Sequence, residues 1–274
     1  MTNAEFYLED LKTKFNKINP TEWYLSYSGG KDSHLLYWFI KEYAHIEGIK
    51  VIAINTYMEH PEIRQRMYDY SDEVLLPKMK PFEIKEKYGI PCFSKEQDSH
   101  IYYYQNSLRK GKEPSKTSKA KVEGTYKTGY CISKKARDYV LSGNAHMITH
   151  LCCEHLKKKP AHDFEKRTGL KCILGTKAGE SQLRKRTYTS CFALKDKFTP
   201  LWDLNDKLEN EIYSEFQIEI PPVYQHVLRT GCMGCPYGSY FGDTERELRL
   251  LSPTQKEFVC NYFKESYDVL GIKY

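Results

Sequence analysis

The sequence predicts an α/β protein built on a parallel, twisted sheet flanked by helices. The prediction rests on three segments near the start of the chain: an aromatic, extended stretch at 22–27, an apolar helical stretch at 34–45, and a second extended stretch at 49–55. A glycine-containing turn at 28–33 joins the first strand to the helix. A strand, a helix and a strand in this succession form a βαβ unit, in which the two strands run parallel.

Further elements follow from hydrophobic spacing along the rest of the chain. Residues 1–20 show the spacing of an amphipathic helix, and Pro20 lies at its end. Short apolar runs at 74–76 and 171–175 predict two more strands. Helical patterns are predicted, in chain order, at 65–72, 81–88, 243–251 and 253–267.

We expect two domains. Residues 1–190 would form the α/β domain, with a basic insertion at about 97–140. Residues 191–274 would form a C-terminal lobe that ends in helices. The lobe is predicted to be irregular because prolines interrupt it at positions 200, 221, 222 and 236.

The composition is that of a globular protein, since 40% of the 274 residues are hydrophobic and 28% are charged. The longest apolar runs are too short to span a bilayer, and the N-terminal stretch lacks the apolar core of a signal peptide. The nine cysteines are an odd number, which argues against a disulfide scaffold and for free thiols or metal ligands. We therefore expect a cytoplasmic protein without membrane partners.

The positive charge is concentrated in one segment. Residues 109–137 contain ten lysines and arginines against two glutamates, a net charge of +8, whereas the whole chain carries +6. Residues 94–137 lack a clear period, which predicts a long loop or lid. Such a segment would contact an anionic polymer, and Tyr126 and Tyr130 favour a nucleic acid because they could stack on bases. The alternative is a solvated loop without a partner.

The turn at 28–33 has the composition of a phosphate-binding loop. Gly29 and Gly30 allow a tight turn whose backbone N–H groups point inward, and the following helix adds partial positive charge at its N-terminus. Ser28, Lys31 and Ser33 add side-chain donors. The spacing is shorter than that of the G-x-x-x-x-G-K-[ST] loop, so this is a different kind of phosphate site.

Four cysteines form a candidate metal site. The adjacent pair Cys152-Cys153 and the C-x-x-C pair Cys232 and Cys235 together offer four thiolates, enough for zinc or for an iron–sulfur cluster. Adjacent cysteines are awkward ligands for one zinc ion, which slightly favours the cluster. Buried structural cysteines and a redox-active C-x-x-C pair are the alternatives.

Several of these segments resemble one family. The loop at 28–33, SGGKDS, resembles the pyrophosphate-binding loop (PP-loop) of the adenine-nucleotide alpha-hydrolase superfamily. Residues 55–62, NTYMEHPE, resemble the DTG-x-x-FPE segment of phosphoadenosine-phosphosulfate (PAPS) reductases. Residues 175–184, GTKAGESQLR, resemble the G-x-R-x-x-(E/Q)-S-x-x-R segment of the same enzymes, with Lys177 in place of the arginine. The resemblance extends from residue 24 to about residue 240.

The resemblance implies a Rossmann-type fold, a bound ATP or adenylyl sulfate, and a four-iron four-sulfur cluster. It implies that Thr56 and Gly175 lie near the adenosine, and that the loop residues Ser28, Gly29, Gly30, Lys31, Asp32 and Ser33 hold the phosphates. The residues expected to take part in catalysis are Lys31, Asp32, Lys177 and Arg184. The cluster ligands would be Cys152, Cys153, Cys232 and Cys235.

The reaction follows from a difference between this sequence and the reductases, which carry a C-terminal Glu-Cys-Gly-Leu-His segment with a nucleophilic thiolate. This sequence ends in VLGIKY, and Cys260, its last cysteine, lies in an apolar helical pattern where we expect it to be buried. The sequence is therefore identified as a member of a tailless iron–sulfur subgroup, related to phage and DNA phosphorothioation-type proteins.

The resemblance to that subgroup implies that the protein cleaves ATP to AMP and pyrophosphate and thereby adenylates a target for sulfur transfer. It also implies a Mg²⁺ ion that shares the charge of the phosphates. The target expected here is a nucleic acid held by residues 109–137, and a cysteine desulfurase or another sulfur donor is an implied partner. A homo-oligomer is compatible with the sequence. Two alternatives stay open: a PAPS or adenylyl-sulfate reductase that releases sulfite, and a nucleotide- or nucleic-acid-binding module without turnover.

Overall fold

The computed structural model describes residues 1–228 and 230–274. Its central feature is a five-stranded, parallel sheet in the order β3-β2-β1-β4-β5. The predicted α/β class with a parallel sheet is therefore confirmed. The strands are β1 (Trp23–Tyr27), β2 (Lys50–Ile54), β3 (Glu73–Leu75), β4 (Lys171–Ile173) and β5 (Lys197–Phe198).

Helices connect the strands and form the rest of the chain. The α-helices are α1 (Asn3–Phe15), α2 (Lys31–Trp38), α3 (Pro61–Tyr70), α4 (Pro81–Tyr88), α5 (Lys95–Arg109), α6 (Lys116–Glu123), α7 (Lys134–Leu141), α8 (Leu151–Cys153), α9 (Lys159–Thr168), α10 (Gln182–Thr187), α11 (Asp206–Glu215), α12 (Asp243–Leu250) and α13 (Pro253–Leu270). Across the described residues, every helix is too short or too polar to cross a membrane.

Strand β1 lies at the centre of the sheet, paired in parallel with β2 on one side and β4 on the other. Leu25 stands opposite both Val51 and Ile173, and all three side chains are buried. A strand covered on both faces is apolar almost throughout, which explains why short continuous apolar runs marked these strands in the sequence. The carboxyl end of the central strand, Tyr27, leads directly into the glycine loop.

The chain folds into two compact units. The first, here the sheet unit, comprises Met1–Asn55, His60–Leu76 and Pro160–Pro222. The second, the helical unit, comprises Thr56–Glu59, Pro77–Lys159 and Val223–Tyr274.

These units divide the chain differently from the predicted boundary at residue 190. Strand β5 pairs with β4, so the stretch that follows residue 190 belongs with the sheet as far as Pro222. The segment at 77–159 packs instead with the C-terminal helices.

The prediction of a loop or lid at 94–137 is wrong, because this segment contains α5, α6 and the first half of α7. Each of these helices begins at a serine whose hydroxyl accepts the N–H three residues later: Ser94 from Gln97, Ser115 from Ser118, and Ser133 from Ala136. Their few apolar side chains form a small core that includes Ile101, Val122, Ala136 and Val140. The helices are short and rich in lysine, so their hydrophobic period is weak. The three serine caps are the signal that predicts them.

Candidate nucleotide and cysteine sites

The glycine loop of the sheet unit is tightly folded. Gly29 has φ +72°, and a Cβ atom there would lie 2.8 Å from the carbonyl oxygen of Ile63, so the position requires glycine. The backbone N–H of Ser28 donates to Oγ of Ser33 at 3.1 Å, and the two hydroxyl oxygens lie 3.0 Å apart. Ser33 also donates to the carbonyl of Gly30. The two serines therefore close the loop on itself.

A second predicted segment meets this loop. Gly175 follows strand β4, and a Cβ atom there would lie 3.0 Å from the carbonyl carbon and oxygen of Asp32 and 3.1 Å from the nitrogen of Ser33. The chain leaving β4 therefore runs directly against the first turn of α2, and a side chain at this position would require the backbone of Asp32 and Ser33 to shift. Two sequence segments that resemble the same family thus lie side by side in the sheet unit.

Lys177, two residues further on, is almost fully buried and contacts three carboxylates. Its Nζ lies 2.7 Å from Asp206, 2.8 Å from Glu209 and 3.0 Å from Asp32. Burial by itself lowers the pKa of Lys177, but Asp32 and Glu209 outweigh it and raise that pKa above its ordinary value. Lys177 is therefore charged and held at the loop.

Glu209 is a residue of this site that the sequence analysis did not identify. Its Oε2 also lies 3.1 Å from Nζ of Lys31, which additionally donates to Asn210 at 2.6 Å. Burial raises the pKa of Glu209, and the nearby carboxylate of Asp32 raises it further. The other oxygen of Glu209, Oε1, is buried without a hydrogen-bond partner in the described part of the chain. The available signal was the spacing of Asp206, Glu209 and Asn210, which places them on one face of a helix.

Arg184 is not brought to the loop in this structure. It forms an ion pair with Glu180, one turn earlier, and its side chain is 41% exposed. Glu180 also accepts the backbone N–H of Lys177 at 3.3 Å. Among the described contacts, Arg184 is linked to the loop only indirectly, through Glu180 and Lys177. Its role in catalysis therefore stays a prediction.

Thr56 belongs to the helical unit. Its hydroxyl donates to Glu59 at 2.5 Å, and its N–H donates to the same carboxylate at 3.0 Å. The hydroxyl oxygen also lies 3.9 Å from Sγ of Cys232. Thr56 is thus a neighbour of the cysteines, and its predicted place beside adenosine stays a prediction.

The four predicted cysteine ligands line one cavity of the helical unit, together with Met58, Pro91, Leu156, Lys157, Tyr262 and Phe263. The neighbouring thiol of Cys152 and, to a smaller extent, the ammonium group of Lys157 lower the pKa of Cys153 below its ordinary value, although burial opposes them. Burial raises the pKa values of Cys232 and Cys235. Lys157 has its own pKa raised, chiefly by Cys232.

The C-x-x-C turn is held by its surroundings. Gly234 has φ +61°, and a Cβ atom there would lie 2.3 Å from Cγ1 of Val259, so only glycine fits. Its N–H donates to the buried Glu247 at 2.9 Å, and its carbonyl accepts from the hydroxyl of Tyr267. Thr244 donates to the carbonyl of Cys235 at 2.9 Å. The positions of both thiols are therefore fixed by helices α12 and α13.

The Cys152-Cys153 pair is held differently. It lies in the short helix α8, and a π-helical turn, Glu154–Lys158, follows directly. A π-helical turn is a wide turn that recurs at functional sites, and this one contains Lys157, which lines the cavity.

The four cysteines around this cavity match an iron–sulfur cluster in the number and type of ligands. A four-iron cluster spaces its thiolates more widely than one ion does, and four thiols around one cavity are the ligands that it needs. Lys157 would offset part of the negative charge of four thiolates.

The remaining cysteines fit packing roles. Cys260 is buried in a core with Val259 and Phe263, as expected, and burial raises its pKa, which makes it a poor nucleophile. Cys131 is partly exposed and donates weakly to the carbonyl of Tyr126.

The basic segment presents its charges on the surface of α5 to α7 and their connections. Lys119 pairs with Glu113, and Lys121 contacts His100. The cationic residues of this segment that are exposed are Arg109, Lys110, Lys112, Lys116, Lys127, Lys134 and Lys135.

No family model matches the sequence, and no curated protein matches it. Solved structures with similarity to this chain include a PAPS reductase from Candida auris, with 13% identity over 82% of this chain and 93% of that chain and a TM-score of 0.41. An NH3-dependent NAD synthetase from Campylobacter jejuni has 12% identity over 99% and 96%, with a TM-score of 0.36. The U34-tRNA thiolase NcsA from Methanococcus maripaludis, with its [4Fe-4S] cluster, has 13% identity over 96% and 80%, with a TM-score of 0.38.

Proposed function

We propose that this chain binds ATP at residues 28–33 and cleaves it to AMP and pyrophosphate, adenylating a target for sulfur transfer. The observation that carries the proposal is the close approach of Gly175 to Asp32 and Ser33, with Lys177 held beside the loop. A glycine loop between a central parallel strand and a helix is suited to phosphate, and the segment after β4 adds a cation at that point.

The loop offers its donors mainly from the backbone. The first-turn N–H groups of α2 have no partners within the helix, and the helix dipole adds partial positive charge there. Ser28 and Ser33 support the loop shape by bonding to each other. Phosphate oxygens would therefore be bound chiefly by N–H groups, with Lys31 and Lys177 as the nearby cations.

The charges of the side chains around the loop support the proposal that a divalent cation binds with the nucleotide. Lys31 and Lys177 carry two positive charges, whereas Asp32, Asp206 and Glu209 carry three negative charges when ionised, a net charge of −1. A polyphosphate would be repelled by that balance, so we propose that ATP binds with Mg²⁺. The carboxylate of Asp206 is 86% exposed, which makes it the partner that Lys177 most easily exchanges for a phosphate oxygen.

The reaction consists of two substitutions. An oxygen of the target attacks the α-phosphorus of ATP, the bond to the bridging oxygen breaks, and pyrophosphate leaves. Hydrosulfide then displaces AMP from the activated carbon; a thiol reductant releases it from the persulfide of a cysteine desulfurase, with formation of a disulfide, or another donor supplies it directly. Neither step changes the oxidation state of sulfur. Lys177 and Lys31 would stabilise the charge that develops on the leaving pyrophosphate.

We also propose that Cys152, Cys153, Cys232 and Cys235 hold a [4Fe-4S] cluster, with Lys157 beside them. Such a cluster, when bound, would supply either an iron atom that binds sulfide or a structural cross-link between the two cysteine pairs. The nucleic acid proposed as the target would bind the exposed cations of residues 109–137.

The test is pyrophosphate release from ATP by anaerobically purified protein, with cellular RNA, with DNA, and with neither. Release that nucleic acid stimulates is expected. The matched control is Lys166→Gln, which removes an exposed lysine of α9 away from the loop residues and is expected to leave release unchanged. Release of sulfite from adenylyl sulfate with a thiol reductant, and no pyrophosphate from ATP, would support the reductase alternative. Salt-sensitive nucleic-acid binding with neither product would support a binding module.

A further inference from the structure

We propose that six basic and aromatic side chains of helices α5 and α6 and of the segments that follow them form a binding track for single-stranded nucleic acid that leads to Cys153. The proposal deepens the proposed function, on whose nucleic-acid target it rests. All residues of the track lie in the helical unit. They are Lys95, His100, Tyr103, Lys121, Tyr126 and His150.

The middle of the track lies where α5 and α6 pack together. Nζ of Lys121 is 3.0 Å from Nε2 of His100 and 5.3 Å from the ring centroid of Tyr126. The ammonium group of Lys121 therefore lies between the ring of Tyr126 and the imidazole of His100. Lys121, His100 and Tyr126 are each partly exposed, so a ligand can reach this group of side chains.

The far end of the track lies at the cysteine pair. The ring of His150 is 5.8 Å from that of Tyr103 and 6.0 Å from that of Tyr102, and the residue directly precedes helix α8. Tyr103 is 51% exposed, so a ligand can reach its ring. The track thus ends on the helix that carries Cys152 and Cys153.

Positive charge accompanies the rings along the whole track. Lys95 begins helix α5, which also carries His100 and Tyr103. Lys95 is exposed, and Lys158 pairs with Glu154 at 3.0 Å. Lys95 and Lys121 are therefore the main cations available to a phosphate backbone.

This alternation of ammonium groups and ring faces fits an unpaired strand. Phosphates of a single strand can contact lysines while its exposed bases stack on tyrosine and histidine rings. In a duplex the bases are already stacked on one another, so exposed Tyr103 would contribute nothing to its binding. The expected ligand is thus a single-stranded nucleic acid. Comparing the affinities for single-stranded RNA and single-stranded DNA shows which of the two it is.

The experiment measures binding of fluorescent oligonucleotides of about twelve nucleotides to the full chain without ATP, over a range of salt concentrations. Single-stranded RNA, single-stranded DNA and a duplex of the same sequence are compared. Tyr103→Ala is expected to weaken single-strand binding by about ten-fold, and Lys121→Gln to reduce the slope of log affinity against log salt by about 0.7. The controls are Phe6→Ala, an exposed aromatic on α1, and Lys166→Gln, and both are expected to bind like the unmodified chain.

Equal affinity for duplex and single strand, or variants that bind like the controls, would overturn the proposal. Circular dichroism and urea unfolding establish that each variant is folded. Should Tyr103→Ala fail to fold, ultraviolet cross-linking of the unmodified chain decides: adducts within 95–153 support the track, and adducts elsewhere refute it. Strand binding without pyrophosphate release would refute the proposed function alone. Pyrophosphate release without strand binding would refute the track alone.

Discussion

Nζ of Lys177 lies 2.8 Å from Oε2 of Glu209, and both side chains are more than nine-tenths buried. The pair joins the segment after strand β4 to helix α11, although Lys177 and Glu209 are 32 residues apart in the sequence. A buried ion pair adds little net stability compared with apolar packing, but removing one partner leaves the other charge uncompensated. The pair therefore fixes where Lys177 stands relative to the glycine loop.

We expect Glu209→Gln to lower the free energy of unfolding by about 2 kcal/mol. The amide keeps the size of the side chain but removes the charge that Lys177 and Lys31 share, while Asp32 and Asp206 still partly compensate Lys177. Urea unfolding measures the effect. The matched control is Glu211→Gln on the same helix, whose carboxylate is 38% exposed and 3.7 Å from Lys207. It should change stability by less than about 0.5 kcal/mol, and an equal effect of both variants contradicts the role given to Glu209.

Gly29→Ala is expected to weaken ATP binding by about ten-fold or more and to lower stability by about 2 kcal/mol. The added Cβ would lie 2.8 Å from the carbonyl oxygen of Ile63, and the positive φ is strained for alanine. Calorimetric titration with Mg·ATP measures binding. Gly179→Ala is the control, since a Cβ there meets no atom within 4 Å. If both variants bind ATP equally, the loop is not the nucleotide site.

Much of the sheet unit could be predicted from the sequence because its signals are local. The strand, glycine turn and helix around residues 22–45 are adjacent in the chain, and the buried strands appear as apolar runs. The motif at 175–184 also singled out Gly175, whose predicted place beside adenosine stays a prediction. Glu209 was not, because its contact with Lys177 depends on how α11 packs against the segment that follows β4, and no local pattern encodes that packing.

The helical unit was harder to predict. Helices α5, α6 and α7 have few apolar residues, so their lysines dominated the pattern and the segment resembled a loop. Thr56 follows Asn55 directly, yet only Asn55 belongs with the sheet. The boundary between the two units falls between these neighbouring residues because of tertiary contacts, here those of Thr56 with Glu59 and Cys232. Secondary-structure propensities do not reveal such contacts.

Loss of one thiol ligand should empty the cysteine cavity of iron. Anaerobically reconstituted protein is expected to contain about four iron atoms per chain, and Cys153→Ser less than about one, with loss of the visible cluster absorbance. Iron analysis and absorption spectroscopy measure both quantities. Cys191→Ser, a partly buried cysteine of the sheet unit, is the control and should keep its iron. Zinc instead of iron in the unmodified protein, or full iron content in Cys153→Ser, would show that the cavity does not hold the proposed cluster.

The buried carboxyl of Asp98 should make the stability of the protein depend on pH. Burial raises its pKa to about 7, although the N–H groups of Cys92 and Phe93 and the hydroxyl of Tyr237 bond to it. Between its unfolded pKa of about 4 and the folded value, the folded state binds more protons, so stability falls as pH rises through this range. Asp98→Asn cannot titrate, and the difference in unfolding free energy between it and the unmodified chain should change by about 2–3 kcal/mol from pH 5 to pH 8, in favour of the variant. Urea midpoints across that range measure the change. Asp138→Asn, an exposed position on α7, should show no such drift, and a pH-independent difference for Asp98→Asn would mean that Asp98 is ionised throughout.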